Sequence, residues 1–185
     1  ALILGDLLNI EIHAWINTYL IWTSPDLPLD EEHILFKYPK WIDNTYQNNN
    51  LDNSVYLSPS HPKVNLHLYD IVKELINEYP MLAGIHFDYI RHKDNNYGFN
   101  DEAISEFQKQ HFFNPKHVIE NYTELGLNKV ETDSLMNLWS TFNQENITKL
   151  LKHIRNFINS TNSKILLSAA VKPNPFEAKN RWSQD

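Results

Sequence analysis

The residues best placed to do chemistry lie in Gly84-Ile85-His86-Phe87-Asp88-Tyr89-Ile90-Arg91, where an apolar run stops at an imidazole, a carboxylate, a phenol and a guanidinium. Side chains alternate along a β-strand, so Ile85, Phe87 and Tyr89 share one face and His86, Asp88 and Ile90 the other. A buried strand that ends on a carboxylate flanked by a cation and a phenol makes the floor of a catalytic cleft. Arg91 would hold Asp88 ionised by lowering its pKa. Two other strand-like stretches end in polar side chains: His13 and Asn17 beside Trp15, and Lys172 and Asn174 after an apolar run. His13, His86 and Asp88 also admit a metal reading, since two imidazoles and a carboxylate can hold zinc. No H-x-H or H-E-x-x-H pattern supports it, and the expectation is no metal and no cofactor. Each residue has a plainer role too: the histidines as satisfied interior groups, Asn174 as a turn residue between prolines, Arg91 as a structural partner of Asp88.

The elements that must position these groups follow from the spacing of apolar residues. Ala1 to Leu8 reads as the end of a helix and Asn9 to Asn17 as a strand. From Thr18 to Ser60 the pattern fails, with Pro25, Pro28, Pro39, Pro59 and the run Asn48-Asn49-Asn50. Loops this long are functional or disordered, and Tyr19, Trp22, Phe36, Tyr38, Trp41 and Tyr46 favour an ordered loop that covers something. Pro62 suits a first helical position with Ser60 or His61 as its cap. Leu68, Ile71, Val72, Leu75, Ile76 and Tyr79 then recur at helical spacing up to Pro80. After the Gly84 strand come a polar loop to Asn100, a helix opened by Asp101, another from Pro115, and one or two helices between Thr132 and Asn159. Lys164 to Val171 is a third strand. Strands alternating with helices imply a parallel sheet, and ligand sites in (β/α)8 barrels and open α/β sheets lie at the C-terminal strand edge. A complete barrel needs ~250 residues, so three strands amount to about half of one.

Composition narrows the class. The 185 residues fit a single domain, spanning 1–185, and 42% hydrophobic content marks it as globular. A formal charge of -7, from 16 basic and 23 acidic residues, argues against a nucleic-acid partner, which needs a basic stripe. Aromatics reach 12%, and Trp and Tyr are the usual stacking surfaces for sugar rings, although most serve as core. Without cysteine there is neither a disulfide framework nor a thiolate metal site. No apolar run approaches the ~18 residues of a membrane span. The chain begins at Ala1 inside an apolar stretch and reads as a piece of a longer protein, which leaves its location open.

Several stretches together resemble the glycosyl hydrolase-like 10 family. They are His13-Ala14-Trp15-Ile16-Asn17, the segment Ser58 to Leu68, Ala83 to Lys93 around GIHFDYIR, Trp139 with Asn146-Ile147-Thr148-Lys149-Leu150, and Leu167 to Asp185. The resemblance implies a TIM-barrel glycosidase, of which strands three, four and five are present and the chain is truncated at both ends. It also implies an Asp nucleophile after strand four, here Asp88, a polysaccharide substrate such as bacterial cell-wall glycan, and an envelope or exported location. Ala83, Asn65, Phe142-Asn143-Gln144 and His92-Lys93 depart from the family pattern, and the lost arginines bear on helix anchoring or substrate contact.

Glycoside hydrolysis needs two carboxyl groups, ~5–5.5 Å apart for retention or ~6.5–9.5 Å for inversion. Asp88 supplies one, as nucleophile or base. Glu11 lies too early in its strand, Asp94 sits in a loop and Glu177 in a following helix, so the proton donor is expected beyond Asp185. His13, Trp15, Asn17, His86, Tyr89, Arg91, Lys172 and Asn174 would line the sugar site. A non-catalytic carbohydrate-binding relative and a metal-dependent hydrolase are the alternatives.

Overall fold

Parallel strands with helical crossovers bury one sheet face under the helices and leave the other to whatever lies inside. The computed structural model, which describes residues 1–47, 53–161 and 164–184, has this layering. The Asn48-Asn49-Asn50 run and Asp185 lie outside the described residues. A parallel three-stranded sheet has the order β1 (His13–Asn17), β4 (Gly84–Asp88), β5 (Leu166–Ala169). Helix α1 (Leu2–Leu7) precedes it. The stretch read as irregular also carries short elements: β2 (Leu20–Trp22) pairs antiparallel with β3 (Val55–Tyr56), and helix α2 (Ile34–Lys37) and a 3-10 turn at Pro39–Trp41 lie between them. Elements of two to four residues leave no periodicity to read.

Helix α3 (Pro62–Glu78) buries Val64, Leu68, Val72 and Ile76. These meet Ile147, Leu150, Ile154 and Ile158 from α6 (Lys129–Ser160), and Ile85 and Phe87 from β4, in one core. The sequence left α6 open as one or two helices. It is a single helix of 32 residues, started by a reciprocal cap between Asn128 and Glu131. At 1.5 Å per residue it is about 48 Å long, enough for two jobs. Its C-terminal half covers the sheet. Its N-terminal half carries Trp139 and Phe142 into a second core with Phe99 and with Ala103, Ile104 and Phe107 of α4 (Asp101–His111). α5 (Pro115–Asn121) and α7 (Pro175–Trp182) complete the helices.

Asn65 ties the layers together. Its Nδ2 donates to the carbonyls of Pro59 (3.0 Å) and Asn146 (2.9 Å), and its Oδ1 accepts from the Tyr19 hydroxyl at 2.8 Å. Tyr19 is fully buried, and burial pushes its phenol up, so it stays a neutral donor. Asn65 thus anchors α3 to α6.

Of the two caps expected ahead of Pro62, Ser60 and His61, the structure uses His61: its Nδ1 accepts from Lys63 N at 3.1 Å. Burial lowers its pKa, the first of its causes, while Glu102 opposes and Lys63 assists. The acceptor must be an unprotonated nitrogen, so cap and burial favour the same neutral form. The folded state therefore binds fewer protons than the unfolded one below pH ~6.5, and this contribution is present above that pH and lost as pH falls through the folded value. Thermal melts should show a loss that His61→Asn, which caps without titrating, abolishes. The cap itself is worth about 1 kcal/mol. An unchanged acid slope in the variant would assign the effect to other groups.

Candidate active site

Alternation places His13, Trp15 and Asn17 of β1, His86 and Asp88 of β4, and Leu166 and Ser168 of β5 on the face opposite the helices. Trp15 is 68% exposed there and Leu166 56%. Parallel register arranges this face in rows. His13, Gly84 and Leu166 form the first. Trp15, His86 and Ser168 form the second. Asn17 and Asp88 stand level at the C-terminal edge.

The middle row is linked. His86 Nδ1 lies 2.9 Å from Ser168 Oγ, and the Trp15 and His86 rings are 4.5 Å apart and tilted by 53°. The hydrogen bond fixes the imidazole, and the imidazole props the indole, leaving an aromatic surface on the open face. Ser168 was not singled out from sequence, although its place in the alternation of β5 was the available signal.

Asp88 ends the central strand half-buried. Its Oδ1 accepts from Tyr89 N at 2.7 Å and its carbonyl from Thr18 N at 2.8 Å. Tyr89 takes a left-handed backbone, φ 50°, uncommon for a residue with a side chain. The chain turns there, which ends the alternation. Tyr89 packs its ring against Tyr56 at 6.2 Å, and Ile90, expected beside Asp88, is instead 2% exposed in the core. The turn and the bond to Oδ1 hold the carboxylate.

Other expected positions diverge. Arg91 does not pair with Asp88: its Nη1 donates to the carbonyls of His92 (3.3 Å) and Lys93 (3.2 Å), and its guanidinium lies over the Tyr89 and Tyr56 rings. Among the described residues no ion pair joins the two. The bend at Tyr89 carries Arg91 off the strand direction. His13 shares the open face but starts β1 rather than nearing its end, level with Gly84. At about 3.3 Å per residue, it stands roughly 13 Å from Asn17 along the strand. The strand begins late because Asn9 is left-handed (φ 52°) and Ile10 N bonds back to Gly5 O at 2.8 Å, closing α1. His13 and Asp88 therefore sit at opposite ends of the paired strands and cannot converge with His86 on one ion. Among the described residues no group of three or more potential metal ligands is found.

Lys172 lies past β5, with its ammonium 4.7 Å from the Trp182 ring centre. Asn174 caps α7, its Oδ1 accepting from Phe176 N (3.1 Å) and Glu177 N (3.3 Å). The exits of β4 and β5 are held by Gln184, whose Nε2 donates to Ala170 O (3.1 Å) and Ile90 O (3.4 Å) and whose Oε1 accepts from Lys172 N at 3.1 Å. Of the other carboxylates considered from sequence, Glu11 is 3.8 Å from His13 at the far end, Asp94 Oδ1 accepts from Asn96 N, and Glu177 opens α7. Trp15, Asn17, His86 and Asp88 are the expected residues that come together.

Gly84 is where the His13 ring crosses the sheet. A Cβ there would stand 2.3 Å from His13 Nδ1 and 2.9 Å from the Leu166 carbonyl. The ring can move, but the carbonyl belongs to the β5 ladder. Gly84→Ala should cost about 1–3 kcal/mol by overpacking, read by urea unfolding, with His13→Ala restoring only part. Full restoration would show that the sheet backbone yields freely.

The profile of the glycosyl hydrolase-like 10 family matches residues 6–185, and the chain belongs to that family. No curated protein matches it. Among solved structures it resembles the α-galactosidase from Lactobacillus brevis, with 12% identity and a TM-score of 0.50 over 96% of this chain. It spans only 19% of that chain's length, so this likeness speaks to the α/β fold alone. Among the described residues no helix is long and apolar enough to cross a membrane.

Proposed function

We propose that the chain is part of a glycoside hydrolase acting on a polysaccharide, with Asp88 as a catalytic carboxylate and bacterial cell-wall glycan as the class the family resemblance implies. The observation that carries this is the row structure of the open face: a held carboxylate at the C-terminal edge of the central strand, level with Asn17 and next to an exposed Trp15 propped by His86. An indole offers an apolar platform to the C–H face of a sugar, and Asn17 and His86 can bond its hydroxyls. The sheet reads as three strands of a (β/α)8 barrel: the helices of both crossovers share one face, and ionisable groups fill the other. The flanking strands and the proton donor would come from chain outside this sequence.

The test is release of reducing ends from polymeric glycans by the intact protein and by its Asp88→Asn variant. Equal release by both would end the assignment. A second reading, glycan binding without cleavage, is favoured by Arg91, which is engaged with carbonyls rather than with the carboxylate. It predicts binding that depends on Trp15 and no release by either protein.

A further inference from the structure

A recess of about 450 Å³ opens between the β4–α4 loop, the N-terminal half of α6 and the end of α7. The loop and α7 both follow strands whose C-terminal edge carries Asp88, and they are joined by a bond from His92 N to Trp182 O at 3.2 Å. Its lining is mainly polar, with Phe99, Met136 and the ring of Tyr97, whose hydroxyl accepts from Lys93 Nζ at 3.1 Å, as the apolar members. Asn95, Asn137 and Asn180, one from each segment, bring exposed amides without hydrogen-bond partners among the described residues.

Trp139 also lines the recess. It is 3% exposed, and its buried indole N–H finds no acceptor among the described residues. The indole nitrogen only donates, and leaving such a group buried and unpaired costs free energy that an incoming oxygen recovers. Asp94 and Asp133 against Arg181 leave the lining acidic, which disfavours an anionic ligand. These few apolar members, convergent amides and an unfilled donor match a neutral ring with hydroxyls on its edge and C–H groups on its face.

We propose that this recess is an outer subsite for a neutral glycan, engaging sugar units of the same chain whose scissile bond lies at Asp88. This rests on the glycosidase reading, and the two can fail separately. The experiment follows the indole N–H resonances of Trp15 and Trp139 in the intact protein, assigned with Trp15→Phe and Trp139→Phe. The probes are a β-1,4-linked N-acetylglucosamine tetramer and, separately, raffinose.

With either probe both resonances should shift saturably, and Asn137→Ala should weaken the Trp139 response about five- to tenfold, the scale of one lost hydrogen bond, without moving that of Trp15. A shift at Trp15 alone overturns the outer subsite and leaves the glycosidase reading standing. A shift at Trp139 alone overturns the outer subsite as well, because the recess would then bind glycan independently, and it removes the Asp88 face from glycan binding. Silence at both indoles with both probes overturns both.

Discussion

Asp88→Asn should lower glycan turnover by at least about 10²-fold while leaving the melting profile and glycan affinity close to those of the parent. Asparagine keeps the shape of the side chain and its carbonyl oxygen, so the bond from Tyr89 N survives, as does the left-handed turn it accompanies. What is lost is the negative charge and the basic lone pair. The size of the loss reports the role. General-base work by a side chain contributes about 10²–10⁴-fold, whereas deleting a nucleophile that forms a covalent intermediate has cost about 10⁶-fold in a well-studied hydrolase. Affinity is expected to stay within about threefold, because Trp15 and the His86–Ser168 pair that orients it are untouched. A variant that turns over glycan at the parental rate would show that the carboxylate is structural. One that fails to bind at all would show that the charge, not the indole platform, holds the sugar.

The positions that could be read from sequence are those with local signals. Gly84 to Asp88 alternates cleanly, and the structure follows it to the residue where φ changes sign. Pro62 after His61 and the Leu68-Val72-Ile76 spacing are each one-dimensional patterns with a physical cause, whereas α6 starts at Lys129, behind the Asn128 cap, ahead of the Thr132 expected from its apolar residues. Parallel pairing followed from strand–helix alternation, whereas the register that sets Asn17 level with Asp88 is visible only in the structure. The misplacements arose where no local pattern exists. Nothing in Asn9 to Ile12 announces that α1 closes by a bond to Gly5, so the strand starts later than its apolar pattern predicts and His13 falls at the opposite end from Asp88. Arg91 was paired with Asp88 by proximity in sequence, but one left-handed residue between them sends their side chains apart. Positions that looked like losses from the family pattern turn out to carry polar contacts. Asn65 bonds two carbonyls, Asn143 accepts from Ser60 Oγ at 2.6 Å, and Gln144 reaches the Lys179 carbonyl at 3.4 Å. The buried hydrogen bond between Asp43 and His92, 49 residues apart, had no sequence signal at all.

That pair carries the largest expected effect on stability. His92 Nδ1 lies 2.8 Å from Asp43 Oδ2, and the two side chains are 2% and 0% exposed. The other carboxylate oxygen accepts from Gly98 N at 3.1 Å, where φ is 105° and an added Cβ would stand 2.8 Å from Asn143 Nδ2. One aspartate from the long connection therefore pins the loop that leaves β4 just beyond Asp88. Asn100 reinforces it, donating to the carbonyls of Lys40 and Ile42 at 2.8 Å while its oxygen caps α4. Asp43→Ala would leave a buried imidazole and a buried N–H without their acceptor. Leaving a buried polar group without its hydrogen-bond partner costs about 1–3 kcal/mol, and more for a carboxylate, so His92→Ala, which strands the carboxylate, should cost at least as much as Asp43→Ala. The double variant should cost clearly less than the sum, since the second substitution removes the group the first one stranded. Urea unfolding of the four proteins measures this directly. Strict additivity, or a loss for Asp43→Ala below about 1 kcal/mol, would mean that solvent reaches the pair and that Asn100 alone holds the loop. A partially restoring Asp43→Asn variant should still fold and yet lose glycan turnover, because the loop it loosens begins at the turn that aims Asp88.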